Sequence, residues 1–415
     1  MRQFRIYLAA LGLDTAGDGL WLVTLAWVAA GASSAFWTGL IMFAGTVPAI
    51  GSSLLGGNAA DLYSARRVVV WTMAVRLVLM AFWTATATRS DVAPIIAVTV
   101  TALLYDATLG IHDSAVAAYT TDLLPAEAQE SAVVTERLVT RLAQGLAALA
   151  GGYLLHGFGL GGPCLLAIAV LLIAWRLFLT LKQTYRRGVS DLPAGGSELP
   201  PKVPALVVHK RGDLLLGIRV VAHEPILSRT MMVQAVTSAA AGAVIVTGIP
   251  LKARSEHWSA ETFGIIFGAF SLGLMVGTLL SAYLKTRVQR PVLLGVGLVL
   301  IVSLGEMLVG IATSPIAAGV WAGMMGIASG PVGPFLTGYA RRRSIALSAE
   351  HDGRVSGRVM SVLTLGLKLE PAGYLLLGAC ASVWNVSVAM ILTGLVAAVV
   401  TGWALASPAV RSLRE

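Results

Sequence analysis

Charged residues are scarce in this sequence of 415 residues: they make up 12% of it, whereas 56% is hydrophobic. Apolar runs of twenty or more residues recur along the whole chain, which excludes a soluble domain and indicates that the lipid bilayer is its solvent. Cysteine is also rare. Cys164 and Cys380 lie in or beside apolar segments without metal-ligand spacing, so we interpret both as packing residues and predict no metal site.

A phosphate-binding loop and an arrangement typical of a catalytic nucleophile are also missing from the sequence. We therefore predict that the protein is not an enzyme, needs no cofactor and does not draw energy from ATP. The formal net charge of +9 is compatible with a nucleic-acid partner. However, the arginines occur in short clusters at alternate loops, and membrane orientation explains that pattern better, so we expect no nucleic-acid partner.

Twelve apolar stretches are long enough to cross a hydrocarbon core of ~30 Å as helices. Basic clusters such as Arg66 with Arg67 follow every second stretch, whereas the opposite loops hold only Arg89, Lys252 and Arg254. By the positive-inside rule both termini are expected to be cytoplasmic, in the cell membrane. The expected spans are about 5 to 30, 36 to 60, 68 to 88, 94 to 118, 133 to 157, 163 to 184, 226 to 250, 260 to 284, 291 to 312, 315 to 339, 356 to 383 and 385 to 406.

Proline and glycine are concentrated in the middle of the chain, between Arg186 and Asp213, which is typical of a polar linker. We predict two six-helix bundles, residues 1–185 and 214–415, separated by a cytoplasmic linker at 186–213. At the start of the second unit, Leu214–His223 has apolar residues on one helical face and ends before Pro225, which predicts a short interfacial helix. The expected fold is an all-α membrane protein with twelve transmembrane helices.

One short polar stretch, Gly57-Asn-Ala-Ala-Asp-Leu-Tyr-Ser-Ala-Arg-Arg67, joins the second and third predicted spans. It resembles the loop between the second and third helices of the major facilitator superfamily, with Gly57, Asp61, Arg66 and Arg67 as the matching positions. Leu62, Ser64 and Ala65 depart from the usual base, glycine and arginine.

A second copy of the stretch lies about 220 residues further on, where Gly277, Ser281 and Arg287 correspond to Gly57, Asp61 and Arg67. The repeat extends to Gly152-Tyr-Leu-Leu155 and Gly373-Tyr-Leu-Leu376. Such repeats indicate two pseudo-symmetric halves.

The resemblance implies alternating access, with the first, fourth, seventh and tenth helices around a central cavity. It also implies that Asp61, Arg66 and Arg67 form a cytoplasmic gate, although the arginines alone would also serve membrane orientation. The segments Leu123–Gln129, Gly217–Pro225 and Gly353–Val359 are similar to those of the drug and siderophore exporter subgroup.

Charges inside a span are costly unless paired or hydrated, so each is a functional candidate. Asp14 and Asp18 are four residues apart on the first helix and share a face. Two such carboxylates resist ionising together, which suits proton coupling. The alternative is that they cap a helix break or bond a neighbouring helix. Asp106 and Asp113 share a face of the fourth helix, and Asp113 is also explained by solvation near the helix end.

Two cations compete to balance these aspartates: Arg141 on the fifth helix and Arg76 on the third. Drug antiporters of the resembling subgroup often carry an arginine where this chain has Asp106, which puts a direct transfer of their mechanism in doubt. We interpret His112 as a packed or interfacial imidazole.

The second half has fewer embedded charges, and we expect a mostly apolar wall there. Gln234, Trp321 and Met324 are candidate substrate contacts, although each residue type is more often ordinary packing. The stretch Gly330–Pro334 is expected to break the tenth helix.

Together these patterns predict a secondary transporter that moves a small amphipathic organic molecule by alternating access, as a proton-coupled multidrug-type antiporter for efflux. Two alternatives use the same helices: a proton-coupled uptake symporter, and a membrane scaffold that senses a ligand without transporting it. The partners expected are the substrate, protons and the bilayer.

Overall fold

The computed structural model describes residues 2–87, 94–123, 126–181, 212–284, 287–350 and 356–411. Helices dominate these residues because, in lipid, a helix satisfies its own backbone hydrogen-bonding groups. Residues Ala243–Gly248, between α8 and α9, form a π-helix. The α-helices are α1 (Arg2–Ala29), α2 (Ala35–Tyr63), α3 (Ala65–Ala87), α4 (Pro94–Leu123), α5 (Ala126–Phe158), α6 (Gly161–Thr180), α7 (Gly212–His223), α8 (Pro225–Gly242), α9 (Ile249–Ser255), α10 (Ala260–Leu284), α11 (Pro291–Ile311), α12 (Pro315–Glu350), α13 (Ser356–Leu367), α14 (Glu370–Val383), α15 (Val386–Ala406) and α16 (Pro408–Arg411).

Twelve helical segments of the described chain are long and apolar enough to cross a membrane, which confirms the predicted number. The seventh, Pro225–Ser255, runs through α8, the π-helix and α9, and the eleventh, Val362–Val383, runs through α13 and α14. Helix α7 occupies the position of the expected interfacial helix. Most of the expected linker, residues 186–211, lies outside the described residues.

Two sets of six spans pack in corresponding ways. In the first half, α2 packs on α4 and α3 on α4 and α6; in the second, α10 packs on α12 and α11 on α12 and α15. The halves meet where α5 packs on α10 and α2 on α14. We call the side on which α1 begins and α15 ends the terminal face, and the opposite side the far face.

Paired glycines bring the halves into backbone contact near the far face. A Cβ on Gly152 of α5 would stand 2.7 Å from the Cα of Gly264 on α10, and a Cβ on Gly378 of α14 would stand 2.8 Å from the Cα of Gly39 on α2. Only glycine permits so close an approach. The two crossings correspond under exchange of the halves.

Hydrogen bonds also join the two halves at the far face. Arg254 of α9 donates from Nε and Nη2 to the carbonyl oxygen of Trp27, at 3.3 and 2.9 Å, and its guanidinium lies 4.4 Å above the Trp27 ring. Trp27 is in the last turn of α1, where carbonyl groups attract a cation. The halves are therefore closed against each other at the far face.

Helix interruptions differ from those that proline content predicts. Helix α12 continues through Pro331 and Pro334, so the expected break at Gly330–Pro334 was wrong. In contrast, the eleventh span is interrupted at Lys368 and Leu369, immediately before Pro371 in the first turn of α14. Proline is tolerated in a first turn because its missing N–H would have no helical partner there.

Candidate functional site

Five charged or ionisable groups form a buried network inside the first half. Arg76 of α3 is fully buried and donates from Nη1 to Asp14 Oδ1 at 3.0 Å. Its Nη2 group also forms an ion pair with Asp18. The two aspartates therefore share a face of α1, as their spacing predicts, and that face points at a cation on α3. Such a cation must be paired, because an isolated buried charge costs several kcal/mol.

Helix α4 completes the network with Tyr105 and His112. Arg76 Nη2 donates to the Tyr105 hydroxyl oxygen at 2.9 Å, and that hydroxyl donates to Asp18 Oδ1 at 2.6 Å. His112 Nε2 lies 2.8 Å from Asp14 Oδ2. Tyr105 and His112 are seven residues apart and so face α1 together, two turns apart.

Both protonation forms of His112 fit its two polar contacts. Its Nδ1 lies 2.9 Å from the Thr72 hydroxyl, which also lies 2.9 and 3.0 Å from the carbonyl oxygens of Val68 and Val69. A neutral imidazole with its hydrogen on Nε2 donates to Asp14 and accepts from Thr72, whereas an imidazolium donates to both. The contact between His112 and Asp14 is therefore kept with or without an additional proton.

Asp106 and Asp113 lie beside this network and are not bonded to it. Within the described part of the chain, neither makes a hydrogen bond or an ion pair. Asp106 is half-buried and points at α2, with Oδ2 3.5 Å from the place where a Cβ on Gly45 would stand. Asp113 is exposed.

The cation that balances the aspartates is Arg76, whereas Arg141 lies elsewhere. Arg141 donates from Nη1 to Gln144 Oε1 at 3.0 Å and lines a cavity between the halves. The interpretation of His112 as simply packed also needs correction, because both of its ring nitrogens form polar contacts. Sequence reasoning did not identify Tyr105. Its position seven residues before His112 is the signal that was available.

A central cavity of about 360 Å³ lies between the halves. Of the candidate substrate contacts, Gln234 lines it, whereas Trp321 packs against the core and Met324 is 47% exposed. The expected apolar wall of the second half is instead partly polar. It includes Glu370, whose Oε1 accepts from Ser238 Oγ at 2.9 Å.

A larger cavity of about 630 Å³ lies on the terminal side. Arg137 of α5, Ser281 of α10 and Arg342 of α12 are among its lining residues. Together with the closure at the far face, the two cavities show a conformation whose open space lies in the middle and on the terminal side.

The Gly57–Arg67 stretch forms the tight connection from α2 to α3. Ser64, alone between the two helices, has φ 74° and ψ 136°, a backbone region that favours the glycine usual there. Arg66 donates from Nε and Nη2 to the carbonyls of Phe178 and Leu179, at 3.3 and 2.5 Å, at the end of α6. This cation at a helix C-terminus stabilises the terminal face within the first half.

The other positions of the loop are less informative. Arg67 is exposed, and the side chain of Asp61, like the surroundings of Gly57, lies outside what the structure describes. In the second copy, Ser281 donates to its own helix at the carbonyl of Thr278, 2.7 Å away, and the Arg287 guanidinium lies 4.5 Å from the Tyr283 ring.

Comparison with known proteins gives one family and a consistent fold. A sequence model of the Major Facilitator Superfamily matches residues 7–369. No curated protein matches the chain. A solved POT family transporter in complex with 5-aminolevulinic acid is similar with a TM-score of 0.71 at 12% identity, over 99% of this chain and 96% of that one.

Two further solved structures give the same result. The nucleoside transporter NupG has a TM-score of 0.66 at 13% identity over 100% of both chains. The human organic anion transporter MFSD10 has a TM-score of 0.64 at 17% identity, over 97% of this chain and 99% of that one. At such low identities the likeness shows the fold alone.

Proposed function

The chain belongs to the Major Facilitator Superfamily and is a transporter rather than an enzyme; from this premise we propose that it is a proton-coupled antiporter that exports a small amphipathic organic molecule. The observation that carries the proposal is the buried contact of His112 with Asp14, which accommodates His112 with or without an additional proton. Embedded ionisable groups with named partners are the usual sites of proton movement in transporters.

The charge count of the network explains how a proton is held. With that proton in place, the two positive groups, Arg76 and His112, balance Asp14 and Asp18. Losing it leaves one net negative charge in a region of low dielectric, which is costly unless water or a cation approaches. Asp18 is the member nearest to water, since its side chain is 24% exposed against 5% for Asp14. Protonation is therefore tied to which side of the membrane hydrates the network.

In the proposed export cycle, orientation in the cell membrane gives each face its role. The arginine clusters of the terminal face favour a cytoplasmic position for that face and for both termini. In this conformation the cavities on that side would receive cargo from the cytoplasm, and opening of the far face would release it. In this proposal Arg66, with Asp61 and Arg67, stabilises the terminal face when it closes.

The experiment uses proteoliposomes with an imposed pH gradient and a panel of amphipathic cations, anions and neutral compounds. Wild type is compared with Asp14→Asn and His112→Gln, and with Asp106→Asn and Asp113→Asn as matched changes outside the network. We expect the first two substitutions to abolish gradient-driven movement and the last two to preserve most of it. The reverse pattern would refute the assignment of the proton site.

The same experiment separates the alternatives without knowledge of protein orientation. In antiport the compound accumulates on the acidic side, whereas in symport it moves with the protons to the alkaline side. Movement that ignores the gradient indicates facilitated diffusion. A compound that binds to the protein but never crosses the membrane indicates a sensor.

A further inference from the structure

We propose that the central cavity binds a zwitterionic amphipathic molecule. The acidic group of this ligand contacts Arg141, and its ammonium group contacts Glu370 and Gln234. The proposal rests on the transport function above and narrows its substrate class. It starts from the arrangement of polar groups in a cavity whose volume of about 360 Å³ suits a small organic molecule.

The donor side of the cavity belongs to the first half. Arg141 is half-buried, and within the described part of the chain it forms no ion pair. Its bond to Gln144 Oε1 uses only one of five guanidinium N–H groups and leaves the Gln144 amide hydrogens free to donate. Arg137, one helical turn away, lines the terminal-side cavity. Two cations at this spacing repel each other, and an anion between the two cavities relieves that repulsion.

The acceptor side belongs to the second half. Gln234 is only 6% exposed, and its Nε2 donates to Thr337 Oγ1 at 2.8 Å. Its Oε1 is buried and has no hydrogen-bond partner in the described part of the chain. A buried acceptor without a donor costs about 1–3 kcal/mol, so a ligand N–H that reaches it is favoured. Glu370 is the second acceptor. It is held by Ser238 and, at 3.5 Å, by the Tyr374 hydroxyl.

Opposite charges on the two halves favour one ligand with two charges. Arg141 and Glu370 line the same cavity but do not approach within ion-pair distance of each other. Unpaired embedded charges are unfavourable, and a zwitterion neutralises both at once. Such a ligand also bridges the two halves, so its binding changes their relative stability in each state of the transport cycle.

The remaining wall of the cavity is apolar. Leu22, Phe267, Phe270 and Leu274 line it beside the polar groups. These side chains suit a hydrocarbon or aromatic body attached to the zwitterionic head. The interruption at Lys368 and Leu369 contributes to this arrangement, because it places Glu370 at the start of α14.

The test is a binding assay with three fluorescent probes that share one dansyl group. ε-Dansyl-lysine carries both charges, dansylcadaverine only the ammonium group and dansyl-aminohexanoic acid only the carboxylate. Binding to the full chain in nanodiscs is followed by the dansyl emission, without a proton gradient. We expect the zwitterion to bind about tenfold or more tightly than either singly charged probe, because each charged hydrogen bond adds about 1.4 kcal/mol or more.

Substitutions assign the two ends. Arg141→Gln should weaken binding of the zwitterionic and anionic probes about tenfold and leave binding of the cationic probe unchanged. Arg141→Lys should retain most of the affinity. Glu370→Gln should weaken binding of the zwitterionic and cationic probes and leave binding of the anionic probe unchanged. Arg290→Gln and Glu256→Gln, the same changes outside the cavity, should alter none of the three. Size-exclusion profiles identify any variant that misfolds.

Two outcomes would overturn the proposal. One is equal affinity for the zwitterion and either singly charged probe. The other is unchanged probe binding in folded Arg141→Gln and Glu370→Gln proteins that lose transport, which would mean that the two charges pair with each other during the cycle. Probe binding is measured without a proton gradient, whereas proton coupling is measured in the transport assay. The two assays therefore test the ligand-contact assignment and the proposed transport function separately.

Discussion

Removing the guanidinium of Arg76 tests the buried network most directly. The side chain is fully buried and holds Asp14, Asp18 and Tyr105 at once. Arg76→Met keeps the aliphatic part of the side chain, removes the guanidinium and leaves two carboxylates without their ion-pair partner. Breaking a buried ion pair by removing one partner costs about 3–5 kcal/mol, mostly from the charge left unpaired. We expect a loss of that size in the free energy of unfolding.

The origin of this loss in unfolding free energy is tested in a variant whose two network aspartates are replaced by neutral asparagines. When Asp14→Asn and Asp18→Asn are present, the same Arg76→Met change no longer strands a charge, and the cost should fall below about 2 kcal/mol, the level of lost packing and hydrogen bonds. Unfolding by SDS in mixed micelles gives both values. Trp21 is a suitable reporter, since its ring lies 5.4 Å from that of Tyr105.

Two results would refute this reasoning. The first is a loss below about 1 kcal/mol on Arg76→Met, the level of an exposed ion pair. The second is an equal loss with and without the two asparagines, which would assign the effect to packing. Arg290→Met, at an exposed arginine, controls for the loss of a surface charge.

Three further predictions concern positions outside the network. Ser64→Gly should stabilise the protein by about 1 kcal/mol in the same unfolding assay, because glycine adopts φ 74° without strain. Glu306→Leu should stabilise it by about 1–3 kcal/mol, because both oxygens of this fully buried carboxyl group have no hydrogen-bond partner among the described residues. Gly152→Leu should hold the far face open, because the new side chain meets the backbone of Gly264; spin labels across that face should report longer distances.

Each of these three predictions has a matched control. Ser64→Ala keeps a Cβ and should give none of the gain. Glu306→Gln keeps a buried polar group and should stabilise less than the leucine variant. Gly157→Leu adds the same side chain to α5 where no atom lies within 4 Å of the new Cβ, and it should leave the far face closed. A control that matches its test variant would refute the corresponding explanation.

Much of the fold was predictable from the sequence because lipid imposes helices on long apolar runs. The number of spans follows from that constraint alone. Helix interruptions were harder, since proline does not act alone: Pro331 and Pro334 continue α12, whereas Pro371 follows a break. The breaking effect of a proline depends on whether neighbouring groups satisfy the backbone around it, and the sequence does not show those neighbours.

The candidate site was predictable only in part, because periodicity assigns a residue to a face but not the face to a partner. The shared face of Asp14 and Asp18 was correctly derived from their spacing of four. On α4 the spacing of seven fits Asp106 with Asp113 as well as Tyr105 with His112, and only the packing of α1 against α4 selects the second pair. The choice between Arg76 and Arg141 likewise required contacts between distant helices.

In the proposed proton-coupled cycle, the buried network has an electrical consequence. All its charged groups lie on α1, α3 and α4, so the network moves with the first half as one body. With its proton bound it is neutral, and the membrane potential does no work on it. Without the proton it carries one negative charge, on which the potential acts with up to about 2.3 kcal/mol per 100 mV. Voltage should therefore accelerate or slow only the half of the cycle in which the network moves unprotonated.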